Sequence, residues 1–142
     1  MSEKSRLQKL FEAGKFVVTT EIGPPMSADA ENVRVKAREI SGKVDAANVT
    51  DCQTSIVRMS SIAAAVIAQS EGVETIMQMT CRDRNRIAIQ SDILGAYALG
   101  LKNILCLSGD HQSFGNDPQS KNVYDIDSIQ LTQAVASMAN EG

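Results

Sequence analysis

Four apolar, strand-like runs recur in this chain at nearly constant spacing, and a segment with helical periodicity follows each one. The runs are Phe16 to Glu21, Val44 to Thr50, Val73 to Thr80 and Asn103 to Ser108, with starts 28, 29 and 30 residues apart. In the intervening segments Ala30, Val33, Ala37 and Ile40 share one helical face, as do Ile62 and Val66 with Ala63 and Ile67 nearby. Ile87, Leu94, Tyr97 and Ala98 line a third face, and Leu131, Val135 and Met138 a fourth. Gly42, Gly72 and Gly100 fall where each helix is expected to end in a left-handed cap. Ser27 or Asp29, Ser60, Asp83, and Asp125 or Asp127 are available as N-caps.

Strands that are apolar on both faces and joined by helices form a parallel sheet with right-handed crossovers. A βα unit of about 30 residues is the module of the (β/α)8 TIM barrel, which reaches roughly 250 residues over eight units. The expected fold is therefore α/β of the TIM-barrel type, with a leading helix in residues 1–15 and four βα units in 16–142. Four units leave two edge strands and an open inner face. Such a chain is a fragment of a barrel, a half completed by a partner, or a small four-stranded α/β fold.

A composition of 43% hydrophobic and 22% charged residues fits one globular unit rather than a disordered chain. Seventeen acidic against 14 basic side chains give a net charge of -3, which offers no reason to expect nucleic acid or an anionic membrane as partner. No apolar run approaches the ~20 residues of a membrane span. Met1 to Arg6 is charged without a following apolar segment, so a cytoplasmic location is expected. Three cysteines without a CxxC pair speak against a disulfide scaffold or a zinc ribbon, and Cys106, inside an apolar run, reads as a buried thiol.

Function in such a sheet gathers at the carboxyl ends of the strands. Those ends read Glu21, Thr50-Asp51, Thr80-Cys81-Arg82-Asp83 and Ser108-Gly109-Asp110-His111. Glu21, between a buried strand and the rigid Pro24-Pro25 turn, is expected to be partly desolvated. Desolvation would suit it to general-acid chemistry; the plainer reading is a solvated loop carboxylate. Asp110 is a second carboxylate on the same rim, beside a glycine that permits close backbone approach, although Asp is also a common turn residue. His111 is the only histidine, which excludes a multi-histidine metal site within the chain. Arg82, Arg84 and Arg86 at a helix start oppose its dipole and hint at a bound anion, unless Asp83 and solvent balance them. Neither a GxGxxG nor a GxxxxGK[ST] phosphate loop occurs.

Five motifs in register carry a family resemblance. They are Glu21-x-x-Pro24-Pro25, Asn48-Val49-Thr50-Asp51, Gln78-Met79-Thr80-Cys81-Arg82-Asp83-Arg84-Asn85, Leu107-Ser108-Gly109-Asp110 and Tyr124-x-x-Asp127. In order and spacing they resemble methylenetetrahydrofolate reductase, over residues 16 to 138, and in particular the short bacterial reductases without a C-terminal regulatory domain. The resemblance implies an oxidoreductase that converts 5,10-methylenetetrahydrofolate to 5-methyltetrahydrofolate through a bound flavin, FAD or alternatively FMN, re-reduced by NAD(P)H or another donor. It places Glu21 at the family's general acid and Asp110 at the aspartate that contacts folate and flavin. Thr50, Gln78, Ser108, Gly109, Tyr124 and Asp125 fall at flavin-contacting positions. Gln78 departs from the His of several members, and Ser108 from an Arg of some. The family's later strands supply the rest of the pocket, so the resemblance also implies a partner subunit, a homo-oligomer or a missing second half. The alternative is a non-catalytic half-barrel that assembles with a partner or a second copy.

Overall fold

The computed structural model of the protein describes residues 3–141; Met1, Ser2 and Gly142, which fall in the expected leading and closing segments, lie outside the described residues. After a short helix α1 (Arg6–Glu12), strands and helices alternate. The order is β1 (Thr19–Ile22), α2 (Ala30–Ile40), β2 (Ala46–Val49), α3 (Ser61–Ser70), β3 (Thr75–Thr80), α4 (Arg86–Ala98), β4 (Ile104–Leu107) and α5 (Ser128–Glu141). The four strands form one sheet in sequential order, and every neighbouring pair is parallel. This is an α/β fold consistent with part of a TIM barrel.

Strand alternation divides the sheet into two chemically different faces. Ile22 pairs with Val49 and Val49 with Met77, and all three are buried beneath the helices. The core continues through Ala47, Thr75 and Met79 on the sheet and Val33, Ala37, Ala64, Ala65, Ala68, Ile89, Ala96 and Leu131 on the helices. The opposite face presents Glu21, Asn48, Ile76, Gln78 and Leu105, and no element among the described residues covers it. Leu105 is 41% exposed there. At the amino ends of the strands α1 is docked by polar contacts. The Glu74 carboxylate, just before β3, accepts from the Arg6 and Leu7 amides at 3.1 and 2.7 Å, and Arg6 reaches Asp45 before β2.

The punctuation agrees with expectation at most positions. Gly42, Gly72 and Gly100 have φ of 76, 84 and 89°, in the left-handed region. Asp29 and Ser60 accept from helix amides as N-caps, and Asp127 accepts from the Gln130 amide at the start of α5. The third cap differs: Asn85, not Asp83, caps α4 through the Ala88 amide, because Asp83 is turned onto Arg82.

Several expectations of burial fail, each for a packing reason. β1 begins at Thr19 rather than Phe16. Pairing with the β2 side starts only where the Asp45 amide reaches Val18, so Phe16 lies ahead of the sheet and is 91% exposed. The expected stripe of α4 faces outward, with Ile87 79%, Leu94 63% and Tyr97 50% exposed, while Ile89 and Ala96 are buried. That helix is apolar on opposite sides, so periodicity could not choose between them. In α3 the alanines Ala64, Ala65 and Ala68 are fully buried, and Ile62, Val66 and Ile67 flank them, because small side chains let the helix settle closest to the sheet. Cys106 is only partly buried, since β4 is an edge strand; the fully buried thiol is Cys81.

Candidate active site

The carboxyl ends of all four strands converge on a cleft of about 430 Å³. Its lining includes Glu21 from β1, Thr50, Asp51 and Gln53 beyond β2, Gln78, Thr80 and Arg82 from β3, and Leu107, Ser108, Gly109 and Asp110 from β4. Of the eight positions singled out in the sequence, Glu21, Thr50, Gln78, Ser108, Gly109 and Asp110 are thus brought together. Tyr124 and Asp125 do not line this cleft. The Tyr124 hydroxyl donates to the carbonyl of the lining residue Gly109 at 2.9 Å, whereas the Asp125 carboxylate accepts from the Arg86 amide at the start of α4, at 3.0 Å.

Glu21 is exposed, so the expected desolvation of its carboxylate does not occur within this chain. The reason is the pleat. Ile22 turns into the helical layer and leaves Glu21 on the uncovered face.

Beneath the cleft lies a buried polar network. The Asp51 side chain is 2% exposed, and its Oδ2 accepts from the Thr80 amide (2.9 Å), the Thr80 hydroxyl (3.2 Å) and Arg84 Nη1 (2.8 Å). Arg84 also holds Asp92 at 3.0 Å. Burial opposes the Arg84 charge, but the facing Asp51 carboxylate and then Asp92 outweigh it, so the guanidinium sits above its ordinary value. Arg82, 3% exposed, grips Asp83 and donates to the backbone carbonyls of Asp110 and Cys52 at 3.2 and 3.4 Å. Its bond to Asp83 raises its pKa further. Arg86 pairs with Asp125 at 3.8 Å. The three arginines are therefore neutralised by the protein's own carboxylates, and the hint of a bound anion drawn from them is withdrawn.

The rim is built from two loops locked together. After β2, Cys52, Thr54 and Ser55 all have positive φ, at 45, 55 and 57°. Left-handed backbone is unfavourable for non-glycine residues, and strain of this kind persists only where the surroundings hold it. Here the loop after β4 does so. Asp110 Oδ2 accepts from the Thr54 amide at 2.8 Å, and Ser55 Oγ lies 2.9 Å from the Asp110 carbonyl and 3.0 Å from that of His111. Asn116 accepts from the Val57 amide at 2.9 Å. Two glycines make the approach possible: a Cβ on Gly115 would collide with the Ser55 carbonyl, and one on Gly109 would stand 2.9 Å from Thr80 Cβ.

His111 caps a single 3-10 turn at Gln112–Phe114 and is exposed, with no catalytic partner facing it. Among the described residues no group of three or more His, Cys, Asp or Glu is placed to hold a metal ion, and no helix is long and apolar enough to cross a membrane. Sequence reading missed Gln53 and Gly115 altogether, and it did not anticipate the Asp51–Arg84 pair. For the pair the available signal was two opposite charges directly after adjacent parallel strands. For Gln53 and Gly115 no local pattern existed.

The residues lining the cleft are predominantly polar. Thr50 Oγ1 and Gln53 Oε1 are buried without a hydrogen-bond partner, Gln78 and Ser108 add further polar groups, and Leu107 supplies an apolar surface. Comparison with curated proteins finds no match. The model of the methylenetetrahydrofolate reductase family, in contrast, matches residues 6–139, nearly the whole of this chain, and the protein belongs to that family.

Proposed function

We propose that the protein catalyses the reduction of 5,10-methylenetetrahydrofolate to 5-methyltetrahydrofolate with a bound flavin, FAD or alternatively FMN, and NAD(P)H or another donor as the source of electrons. The observation that carries this reading is the meeting of Glu21, Thr50, Gln78, Ser108, Gly109 and Asp110 in one cleft at the carboxyl ends of the strands of a family member. When bound, the flavin supplies the hydride. Glu21 serves as the general acid, delivering a proton to folate so that the imidazolidine ring opens to an iminium. Asp110 stabilises that cation by its negative charge while its Oδ2 remains tied to the Thr54 amide. Thr50, Gln78, Ser108 and Gly109 hold the flavin ring, with Tyr124 and Asp125 at the outer edge of the same site.

The uncovered inner face supports a companion reading. The chain supplies the first four βα units of an eight-unit barrel, and the remaining strands come from a continuation, a partner subunit or a second copy. Leu105 and the two edge strands are the surfaces such units would cover. A half-barrel that only assembles, without chemistry of its own, is the alternative.

Stopped-flow measurement of the two half-reactions tests the assignment. Glu21→Gln is expected to slow folate reduction by ~10²–10⁴-fold and leave flavin reduction by the nicotinamide intact, because only the folate step needs the proton. Equal loss in both half-reactions would make Glu21 structural. Colourless full-length protein that assembles tightly would favour the alternative.

A further inference from the structure

Arg82 lies within the longest of the motifs that carry the family resemblance, yet the functional reading gives it no role. At 3% exposure its guanidinium has lost almost all of its hydration, and such a charge is kept in a fold only where partners compensate it. Asp83 does so, accepting from Nε and Nη2 at 2.8 and 2.7 Å. The Asp83 side chain is 46% exposed, however, and a pair with so open a partner does not by itself call for a buried guanidinium. The fork is instead turned into the wall of the cleft, where its remaining donors span two loops. Nη1 donates to the Asp110 carbonyl at 3.2 Å, and Nη2 to the Cys52 carbonyl at 3.4 Å.

These bonds bear on one residue above all. The Asp110 carbonyl takes Ser55 Oγ at 2.9 Å as well as Arg82 Nη1, and its Oδ2 accepts from the Thr54 amide. Thr54 and Ser55 stand just beyond Cys52, so by holding the Cys52 carbonyl Arg82 also restrains the start of the strained loop that donates to Asp110. The stem of Arg82 is fixed in turn, because its own carbonyl accepts from the Val123 amide at 2.7 Å. Among the described residues its ion-pair partner is Asp83 and not Asp110. The guanidinium therefore fixes Asp110 through the backbone and leaves the negative charge of the carboxylate free of a direct ion pair with it.

We propose that Arg82 is a positioning residue for Asp110: its fork joins the loops after β2 and β4 and so sets where the Asp110 carboxylate stands against the reacting folate. This rests on the functional reading above. Asp110 acts on the iminium, which forms after folate has bound, so misplacing it should lower the rate of the folate step and leave folate binding nearly unchanged. Stopped-flow mixing of the full-length protein, its flavin reduced beforehand, with a concentration series of 5,10-methylenetetrahydrofolate reads both quantities from flavin reoxidation. Arg82→Met is expected to slow the limiting rate by roughly 10- to 100-fold. In an Asp110→Asn background the same change should cost little more, since the residue it acts through is already disabled. Arg82→Lys keeps a cation beside Asp83 and serves where the Met variant does not fold. One ammonium cannot replace the fork, so it too should slow the step, with the same dependence on Asp110. A wild-type rate in the folded variant would overturn the proposal. A loss of equal size with and without the Asp110 carboxylate would also overturn it, because Arg82 would then act on the fold at large; so would a loss confined to folate binding. If the wild-type protein failed to reduce the folate, or Asp110→Asn left the step unchanged, the functional reading itself would fall, and this inference with it.

Discussion

Removing the Asp51 carboxylate is the perturbation for which the structure gives the clearest magnitude. Asp51→Ala deletes the acceptor of four hydrogen bonds and leaves the Thr80 amide without a partner. It also strands the Arg84 guanidinium, 17% exposed, with only the more exposed Asp92 to balance it. Breaking one side of a buried pair costs about 3–5 kcal/mol. Arg84 keeps a second carboxylate and some solvent, so the lower end applies, about 3 kcal/mol. Against a typical total of ~5–15 kcal/mol this is a large fraction. Urea unfolding reads it directly. With a slope of ~1–3 kcal/mol/M, the midpoint should fall by ~1–3 M at unchanged slope. A double-mutant cycle then isolates the pair. Asp51→Ala combined with Arg84→Met should be less destabilising than the two single changes added together, by ~1 kcal/mol or more, because the double variant buries no lone cation. A loss below ~1 kcal/mol for Asp51→Ala, or simple additivity in the cycle, would refute the claim that this pair braces the floor of the cleft.

Two further outcomes follow from local geometry. Gly109→Ala combines a φ of 96° with a Cβ 2.9 Å from that of Thr80, itself held by Asp51; the variant should lose about 2 kcal/mol in the same unfolding assay, and an unchanged midpoint would show that the strand end can shift freely. Burial pushes the Cys81 and Cys106 thiols above their ordinary range. A raised folded pKa contributes stability that is present below the unfolded value of ~8.5 and is lost as pH climbs through the folded value. Stability should thus decline on the alkaline side of ~8.5, and mass spectrometry after iodoacetamide treatment at neutral pH should find Cys81 unmodified until the protein is unfolded. Rapid labelling of native Cys81 would contradict its placement in the core.

The 30-residue period, the glycine stops and the strand ends are local properties, so the amino-acid sequence by itself determined four parallel strands, helical crossovers and the rim on which the site lies. Four of the five motifs of the resemblance were legible for the same reason, since they lie at or directly after the carboxyl end of a strand; Tyr124 and Asp127 lie instead just before α5. Tertiary structure alone decided what depends on contacts between segments far apart in the chain. It chose the buried side of α4, where Ile89 and Ala96 face the sheet although the Ile87–Leu94 face is equally apolar. It left Glu21 in the open, because burial depends on what covers a face and not on the run that leads to it. It paired Asp51 with Arg84 and bound the strained Cys52–Ser55 loop to Asp110, across 33 and 56 residues of sequence respectively. Periodicity reports which side chains share a surface. Only the packed chain specifies which surface is covered, and which buried polar atoms are paired.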